Sequence, residues 1–210
     1  MREKERSTRI IYVRHGQTDF PANRIYCDDV EDPALNPAGE EQANRAAALL
    51  QRVKVDAIYA SPSKRTRMTA EAIARGARRG IVDNPLLRER RFGKWEGLYF
   101  EEIEQKYPEE YLSWKRDKAG YTPEGGETMY DLLVRVKQGL GEILERHRYQ
   151  TVAVISHVGP IRISIADALG MPLAGYRQLT IDNASISAID YGRAQNNLLC
   201  CNLGGRDLGV

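Results

Sequence analysis

A short apolar stretch that ends in a histidine constrains this chain more than any other feature. Residues 10–13 are Ile-Ile-Tyr-Val, a β-branched and aromatic run that is typical of a strand buried on both faces of a sheet. Arg14, His15 and Gly16 follow directly, and ligands of open α/β sheets bind beyond the carboxyl ends of the strands. A glycine there leaves room for a bound group to approach the backbone. We therefore expect His15 to be a nucleophile that takes a phosphoryl group whose oxygens Arg14 holds; the alternative is a surface loop in which a histidine happens to follow a strand.

Length and composition indicate an ordinary globular protein. The chain has 210 residues, of which 42% are hydrophobic and 29% charged, and we expect one domain over residues 1–210. A formal net charge of +2 argues against a broad electrostatic surface for nucleic acid. No stretch approaches the roughly 18 apolar residues of a membrane span, and the first residues do not form a signal peptide. The three cysteines lack the spacing of a disulfide framework or a zinc site. The default is therefore a cytoplasmic protein without a membrane or nucleic-acid partner.

Strand and helix signals alternate along the chain, as they do in α/β proteins. After the first strand, further strands are expected over residues 56–60, 81–86, 151–157, 185–191 and 198–203, and helices over 37–52, 62–78, 127–147 and 159–169. The last two strands are expected to pair antiparallel at the sheet edge, which makes a homodimer through edge strands an open expectation. Residues 97–124 hold two short helices with aromatic anchors, which predicts a small cap over one end of the sheet.

The three histidines divide by position. His15 and His157 each follow one of the two most apolar strands, whereas His147 lies at a helix C-terminus, where a structural or solvent role is expected. Arg65 lies one turn into the helix that follows the second strand, and a helix N-terminus favours an anion. Several strand ends therefore deliver cations or imidazoles to one place, which is what phosphoryl transfer needs.

Four motifs, in this order along nearly the whole chain, resemble the histidine phosphatase superfamily, which has the phosphoglycerate mutase-like fold. They are Arg14-His15-Gly16-Gln17-Thr18, Ser61-Pro62-x-x-Arg65-Thr66, Glu89 after the third strand, and Ser156-His157. The resemblance implies a three-layer α/β sandwich with a mostly parallel central sheet, helices on both faces and a small helical cap.

The resemblance also implies a role for each catalytic residue. His15 becomes phosphohistidine, while Arg14, Arg65 and His157 bind the equatorial phosphate oxygens. Glu89 protonates the leaving alcohol and then activates water. No metal or cofactor is implied, because the arginines supply the positive charge. Further phosphate or substrate contacts are expected from Gly16, Gln17, Thr18, Asn23, the Val158 backbone and Asn183, although Asn183 equally suits a simple chain turn before an edge strand.

Two departures from the family pattern bear on the loop after the first motif. Phe20-Pro21 stands where family members often have Trp-Asn, and Cys27-Asp28 lies where they tend to carry a phosphate-binding glycine. The register of residues 20–32, and with it the role of Asn23, is therefore open.

The segment after Glu89 separates the activities that occur in the family. It is compact, which is similar to the broad-specificity phosphatase branch and unlike the longer, basic insertion of the mutases. Asp182-Asn183-Ala184-Ser185 and the segment 201–204 look like metal-independent phosphoserine phosphatases, although enzymes acting on ribazole phosphate or glycosyl phosphoglycerate share most of the same residues. We expect a metal-independent phosphatase of small phosphate monoesters, such as phosphoserine or another phosphorylated metabolite. The alternatives are a phosphoglycerate mutase and a non-catalytic member that binds a phosphorylated ligand.

Overall fold

A six-stranded mixed sheet lies at the centre of the part of the chain that this computed structural model describes, residues 7–25 and 31–205. Its strands are β1 (Thr8–Arg14), β2 (Ala57–Ala60), β3 (Ile81–Asp83), β4 (Thr151–Ser156), β5 (Ile186–Tyr191) and β6 (Asn196–Leu203). The spatial order is β3-β2-β4-β1-β5-β6. The first four strands in this order pair in parallel, and β5 pairs antiparallel with both β1 and β6. The predictions of a mostly parallel sheet and of an antiparallel edge are confirmed.

Helices cover both faces of the sheet. They are α1 (Pro37–Leu50), α2 (Lys64–Ala77), α3 (Phe100–Lys106), α4 (Pro108–Arg116), α5 (Met129–Arg146) and α6 (Val158–Ala168). Alternate residues of β1 reach opposite faces, because successive side chains of a strand point to opposite sides. Ile11 and Val13 pack with buried residues of α1 and α2, whereas Ile10 and Tyr12 pack with those of α5 and α6. β1 is therefore buried on both faces, and the predicted three-layer sandwich is confirmed.

The pairing of β1 with β4 brings the two predicted site histidines together. Arg14 lies opposite Ser156 in the parallel register, so His15 and His157 leave the sheet side by side. The backbone N–H of His15 donates to the carbonyl oxygen of Ser156 at 3.0 Å, which extends the ladder by one residue. The two most apolar strands of the sequence, β1 and β4, are thus neighbours in the sheet.

The short helices α3 and α4 carry an aromatic cluster of their own. Trp95, Ile103, Tyr111 and Trp114 are buried in this cluster together with Ile25 from the loop after β1. Backbone hydrogen bonds fix that loop against the cap, from Ile25 N–H to Leu98 O and from Gly97 N–H to Ile25 O, both at 2.9 Å. The predicted helical cap is therefore present, and backbone hydrogen bonds join it to the loop that follows the first motif.

The boundaries of β3 and α2 differ from the sequence predictions, each because of a specific capping contact. β3 ends at Asp83, because Asn84 caps a short 3₁₀ turn over Pro85–Leu87 by accepting from the Leu86 N–H at 3.0 Å. α2 begins at Lys64, not at Pro62. Its first N–H donates to the carboxylate of Asp32, at 2.9 and 3.0 Å, so a residue from a separate segment caps this helix.

The remaining histidine lies away from the site. His147 follows the last residue of α5, its Nε2 lies 3.0 Å from the Tyr59 hydroxyl, and its Nδ1 lies 2.7 Å from Gln150 Oε1. These contacts give His147 a structural role, as expected. Within residues 7–25 and 31–205, none of the helices combines the length and the apolar character that crossing a membrane requires.

Candidate active site

A cavity of about 650 Å³ opens where β1, β4 and the N-terminus of α2 meet. The rings of His15 and His157 lie at its floor with centroids 5.3 Å apart and planes inclined at 63°. Nine of the eleven predicted site residues line it: Arg14, His15, Gln17, Thr18, Arg65, Glu89, His157, Val158 and Asn183. Residues from four separate segments therefore surround one hollow.

His15 is held as a neutral imidazole with one nitrogen available. Its Nδ1 lies 2.8 Å from the carbonyl oxygen of Gly16, and because a carbonyl only accepts, Nδ1 carries the proton. Nε2 consequently keeps its lone pair. Burial lowers the pKa of His15 well below its usual value, and the charges of Arg65 and Arg14 lower it further. This environment therefore favours the uncharged form of the ring, which is the state a nucleophile needs.

His157 has both ring nitrogens engaged with the protein. Arg65 Nη2 lies 3.1 Å from Nδ1, and because a guanidinium only donates, Nδ1 accepts. Nε2 therefore carries the proton and donates to Ser61 Oγ at 2.8 Å. Burial, then Arg65, then His15 lower the pKa of His157 well below its usual value. Ser61 thus orients a site histidine, a role that its place in the sequence motif does not reveal.

Two arginines supply the positive charge of the site. Arg65, in the first turn of α2, is 0% exposed, and its Nη1 lies 3.7 Å from Asp32 Oδ1. Arg14 Nη1 donates to the carbonyl oxygen of Ile181 at 2.8 Å, which fixes the guanidinium beside the cavity. Guanidinium groups held in this way match the oxygens of a phosphate without rearranging.

Glu89 approaches the site from the segment after β3 with its carboxylate held by two backbone donors. Oε1 accepts from the Arg90 N–H at 2.8 Å and Oε2 from the Gly159 N–H at 3.2 Å. Burial is the largest influence on this group and raises the pKa of Glu89 above its usual value, although both backbone bonds and the two site arginines oppose it. A carboxyl group with a raised pKa is suited to donate a proton.

Replacing Gly159 by alanine is expected to disable the acid without unfolding the protein. A Cβ at Gly159 comes within 2.2 Å of Glu89 Oε1, so the flexible carboxylate has to move away. We expect hydrolysis of alkyl phosphates to slow about 100-fold, a typical loss for a general acid, and that of p-nitrophenyl phosphate to slow much less, because its leaving group needs no proton. The values of kcat/KM for the two esters measure the difference, because this parameter reports the first transfer step and not the later hydrolysis of phosphohistidine, which is common to both esters.

The matched control for this change is Gly141→Ala. Gly141 lies in α5, and a Cβ there meets no atom within 4 Å. This variant should retain wild-type kinetics and gain slightly in stability. An equal fall in kcat/KM for both esters in Gly159→Ala contradicts the role of Glu89 as the acid of the first step.

The structure gives Gly16 and Asn23 other surroundings than the sequence predicts. A Cβ at Gly16 would lie 2.4 Å from Gly39 O, and the Gly16 N–H donates to Thr69 Oγ1 at 3.1 Å. The glycine therefore lets α1 and α2 approach β1 and does not itself make room for a ligand. Asn23 lies outside the cavity lining, and its amide contacts Glu101 Oε2 at 3.5 Å on the exposed surface.

The position of Asn183 is compatible with both expected roles, contact with the substrate and a turn before an edge strand. It lines the cavity, and its Nδ2 donates to the carbonyl oxygen of His15 at 3.1 Å. It also lies in the turn between Asp182 and Ser185, which are joined by a backbone hydrogen bond of 3.2 Å.

The loop after the first motif adds residues that sequence reasoning did not assign to the site. Asp19, Phe20, Pro21, Ala22 and Arg24 also line the cavity. Because this loop departs from the family pattern, no motif signal could have identified them. Cys27-Asp28, the expected neighbourhood of the family glycine, lies outside the described residues. Over the described ranges, His, Cys, Asp and Glu side chains form no cluster of three or more that could hold a metal ion.

Comparisons with known proteins agree with this geometry. Residues 10–204 match the family model of the histidine phosphatase superfamily (branch 1). The chain is 35% identical to phosphoserine phosphatase 1 of Hydrogenobacter thermophilus over 93% of this chain and 92% of that protein. It is 31% identical to a probable phosphoglycerate mutase GpmB of Escherichia fergusonii, over 89% of this chain and 86% of that protein. The solved structure of a putative alpha-ribazole-5'-P phosphatase from Escherichia coli has a TM-score of 0.86 at 27% identity and covers 96% of this chain and 99% of its own. This chain is therefore a member of the histidine phosphatase superfamily, and it is a phosphomonoesterase.

Proposed function

We propose that the protein hydrolyses small phosphate monoesters without a metal, through a phosphohistidine formed on Nε2 of His15. The observation that carries this proposal is the placement of two neutral imidazoles 5.3 Å apart, with Arg65 in contact with one of them and both arginines lining the same cavity. Phosphoryl transfer depends mainly on positioning and on stabilising the charge of three equatorial oxygens. A rigid nucleophile and two fixed guanidinium groups supply both.

The first step transfers the phosphoryl group to the enzyme. Nε2 of His15 attacks phosphorus, and the bond between phosphorus and the ester oxygen breaks. Arg14 and Arg65 bind the oxygens of the transferring group, while Glu89 gives its proton to the departing alcohol. The products are phosphohistidine, the free alcohol and the Glu89 carboxylate.

The second step restores the enzyme. Glu89, now ionised, takes a proton from a water molecule that attacks phosphorus, and the bond between phosphorus and Nε2 breaks. Inorganic phosphate leaves, His15 is again neutral and Glu89 is again protonated. The backbone donors of Arg90 and Gly159 stabilise the carboxylate between the two steps, so this one group serves as acid and then as base.

Hydrolysis is the activity that we favour over phosphoryl transfer to a second substrate molecule. Relatives named as phosphatases include the one that is 35% identical over 93% of the chain. The cap adds only α3 and α4 to the sheet domain, and a compact insertion of this kind is expected of the phosphatase branch. Phosphoserine and other small phosphorylated metabolites are the proposed substrates.

Phosphate release from p-nitrophenyl phosphate should persist in the presence of EDTA. The reason is that the arginines carry the positive charge that a metal supplies elsewhere. The measurement compares initial rates before and after chelation, and follows conversion of 3- to 2-phosphoglycerate in parallel. Activity that is lost on chelation and returns with an added divalent cation contradicts metal independence. Mutase conversion that outruns phosphate release identifies the protein as a mutase.

We also propose that the protein is cytoplasmic and forms a homodimer. The thiols of Cys200 and Cys201 are free, which suits a reducing compartment such as the cytoplasm. β6 lies at the sheet edge with Leu199 48% and Leu203 51% exposed, and an apolar edge strand of this kind supports pairing with a second copy. Light scattering in solution gives the mass that tests the homodimer.

A further inference from the structure

A second cavity, of about 190 Å³, adjoins the first at Glu89. Both cavities share Glu89, Val158 and Arg24. A substrate whose ester oxygen reaches Glu89 to receive a proton can extend the rest of its leaving alcohol into this second space. The side chains of Ile25, Phe92, Phe100 and Tyr176 give it apolar walls.

Four arginines line the second cavity, and the guanidinium groups of two of them are already bound to other protein groups. Arg24 pairs with both carboxylate oxygens of Glu31, each at 2.9 Å. Arg90 donates to three backbone carbonyl oxygens at 2.6–3.1 Å, and its guanidinium lies 4.8 Å from the centre of the Phe92 ring. These two residues therefore hold the cavity wall together.

The other two arginines, Arg162 and Arg177, line the same cavity without forming an ion pair with a carboxylate of the described residues. Arg162, on α6, donates from Nε to the carbonyl oxygen of Leu179 at 2.7 Å, which leaves the rest of the guanidinium available. Burial lowers the pKa of Arg162 and the charge of Arg177 lowers it further, whereas Tyr176, Glu89 and Asp182 oppose this shift. Within the described part of the chain, neither side chain forms an ion pair with Asp or Glu. Two cations that line one cavity repel each other, and an anion bound there offsets this repulsion.

The volume of the cavity suits a small organic group. At about 30 Å³ for each water-sized unit, 190 Å³ accommodates roughly six non-hydrogen atoms. A three-carbon hydroxy acid has this size.

We propose that Arg162 and Arg177 bind a second anionic group on the leaving alcohol, so that the preferred substrates are small phosphate monoesters that also carry a carboxylate or a second phosphate. This proposal rests on the proposed function, because it takes Glu89 as the position of the ester oxygen. The apolar walls contact the short carbon chain between the two anionic groups. Specificity for the organic part of the substrate is thus set by α6 and by the turn that carries Arg177.

Two pairs of esters test the subsite, each differing in the second anionic group. One pair is 3-phosphoglycerate and glycerol 3-phosphate, and the other is the bisphosphate and the monophosphate of propane-1,3-diol. Wild-type kcat/KM should favour the anionic member of at least one pair about tenfold or more, and the pair that shows the preference distinguishes carboxylate from phosphate. In Arg162→Gln and in Arg177→Gln, that ratio should fall about tenfold.

Arg177→Gln is the safer variant for folding, because Arg177 is exposed whereas Arg162 anchors Leu179. Arg193→Gln is the matched control, since Arg193 is an exposed arginine in the turn between β5 and β6, near the opposite end of β1. Its substrate ratio should equal that of the wild type. Equal kcat/KM within both pairs overturns the subsite, and so does a preference that survives in both arginine variants.

A binding measurement separates failure of the subsite from failure of the phosphatase proposal. Calorimetry on His15→Ala compares the dissociation constants of 3-phosphoglycerate and glycerol 3-phosphate without turnover. Tighter binding of the carboxylate ester, reduced by adding Arg177→Gln, supports the subsite even if the wild type releases no phosphate from any ester. Equal binding of the two esters overturns it, whatever the wild type hydrolyses.

Discussion

Replacing His15 by alanine is expected to lower phosphate release by at least about four orders of magnitude, as removal of a covalent nucleophile does in other enzymes. The ring is held with its Nδ1 proton on Gly16 O, so Nε2 is the atom that bonds to phosphorus. No other imidazole at the site has a nitrogen in this state, since His157 has Nδ1 on Arg65 and Nε2 on Ser61. Initial rates measure the loss. Phosphohistidine is measured by reacting the wild type with a ³²P-labelled ester and quenching in alkaline detergent, because the bond between phosphorus and nitrogen hydrolyses in acid; the label should be absent from the variant.

The control for this prediction is His147→Ala. His147 contacts Tyr59 and Gln150 beyond the other end of the sheet, so this variant should keep its activity and its labelled intermediate. A His15→Ala protein that retains more than about 1% of the wild-type rate, or that still takes up label, contradicts the assignment of the nucleophile.

Sequence patterning predicts the layers of this fold because β1 and β4 are buried on both faces. Such strands need apolar residues at every position, and only a sheet with helices on both sides covers them. The position where a helix begins is harder to predict when its cap comes from a distant segment. Ser61-Pro62 resembles a local helix start, yet the carboxylate that accepts from the Lys64 N–H belongs to Asp32. The residues around Lys64 do not reveal this contact, because Asp32 lies 32 residues earlier in the chain.

The groups proposed to be catalytic could be picked out from the sequence because each follows the end of an apolar strand or lies in a recognisable motif, but the side chains that contact them could not. Ser61 orients His157 from 96 residues away along the chain. The side of Gly16 that has no room for a Cβ faces the backbone of Gly39 in α1 and not a ligand. Arg162 and Arg177 lie in segments without any motif, and only the folded chain brings them to Glu89. Contacts between side chains of different segments are therefore the part of the site that sequence alone leaves open.

Replacing Arg65 by methionine is expected to lower kcat/KM about 1,000-fold, the upper range for removing one donor to a developing oxyanion. Stability should not fall, because the guanidinium is 0% exposed and a buried cation is costly to desolvate, whereas methionine fills most of the same space. Asp32 keeps its bond to the Lys64 N–H in this variant. Rates of phosphate release and the midpoint of thermal unfolding measure the two effects separately.

The same substitution should move the pH profile of kcat/KM toward higher pH. The positive charge of Arg65 lowers the pKa of His15, so its removal raises that pKa, and His15 becomes protonated and inactive at a higher pH than in the wild type. Arg65 also lowers the pKa of Glu89, so the basic limb, where the acid loses its proton, moves up as well. Arg67→Met is the matched control, because Arg67 lies two residues further along α2 and pairs with Asp83 on the surface. An acid limb that stays in place or moves to lower pH in Arg65→Met shows that this guanidinium does not set the charge state of the nucleophile.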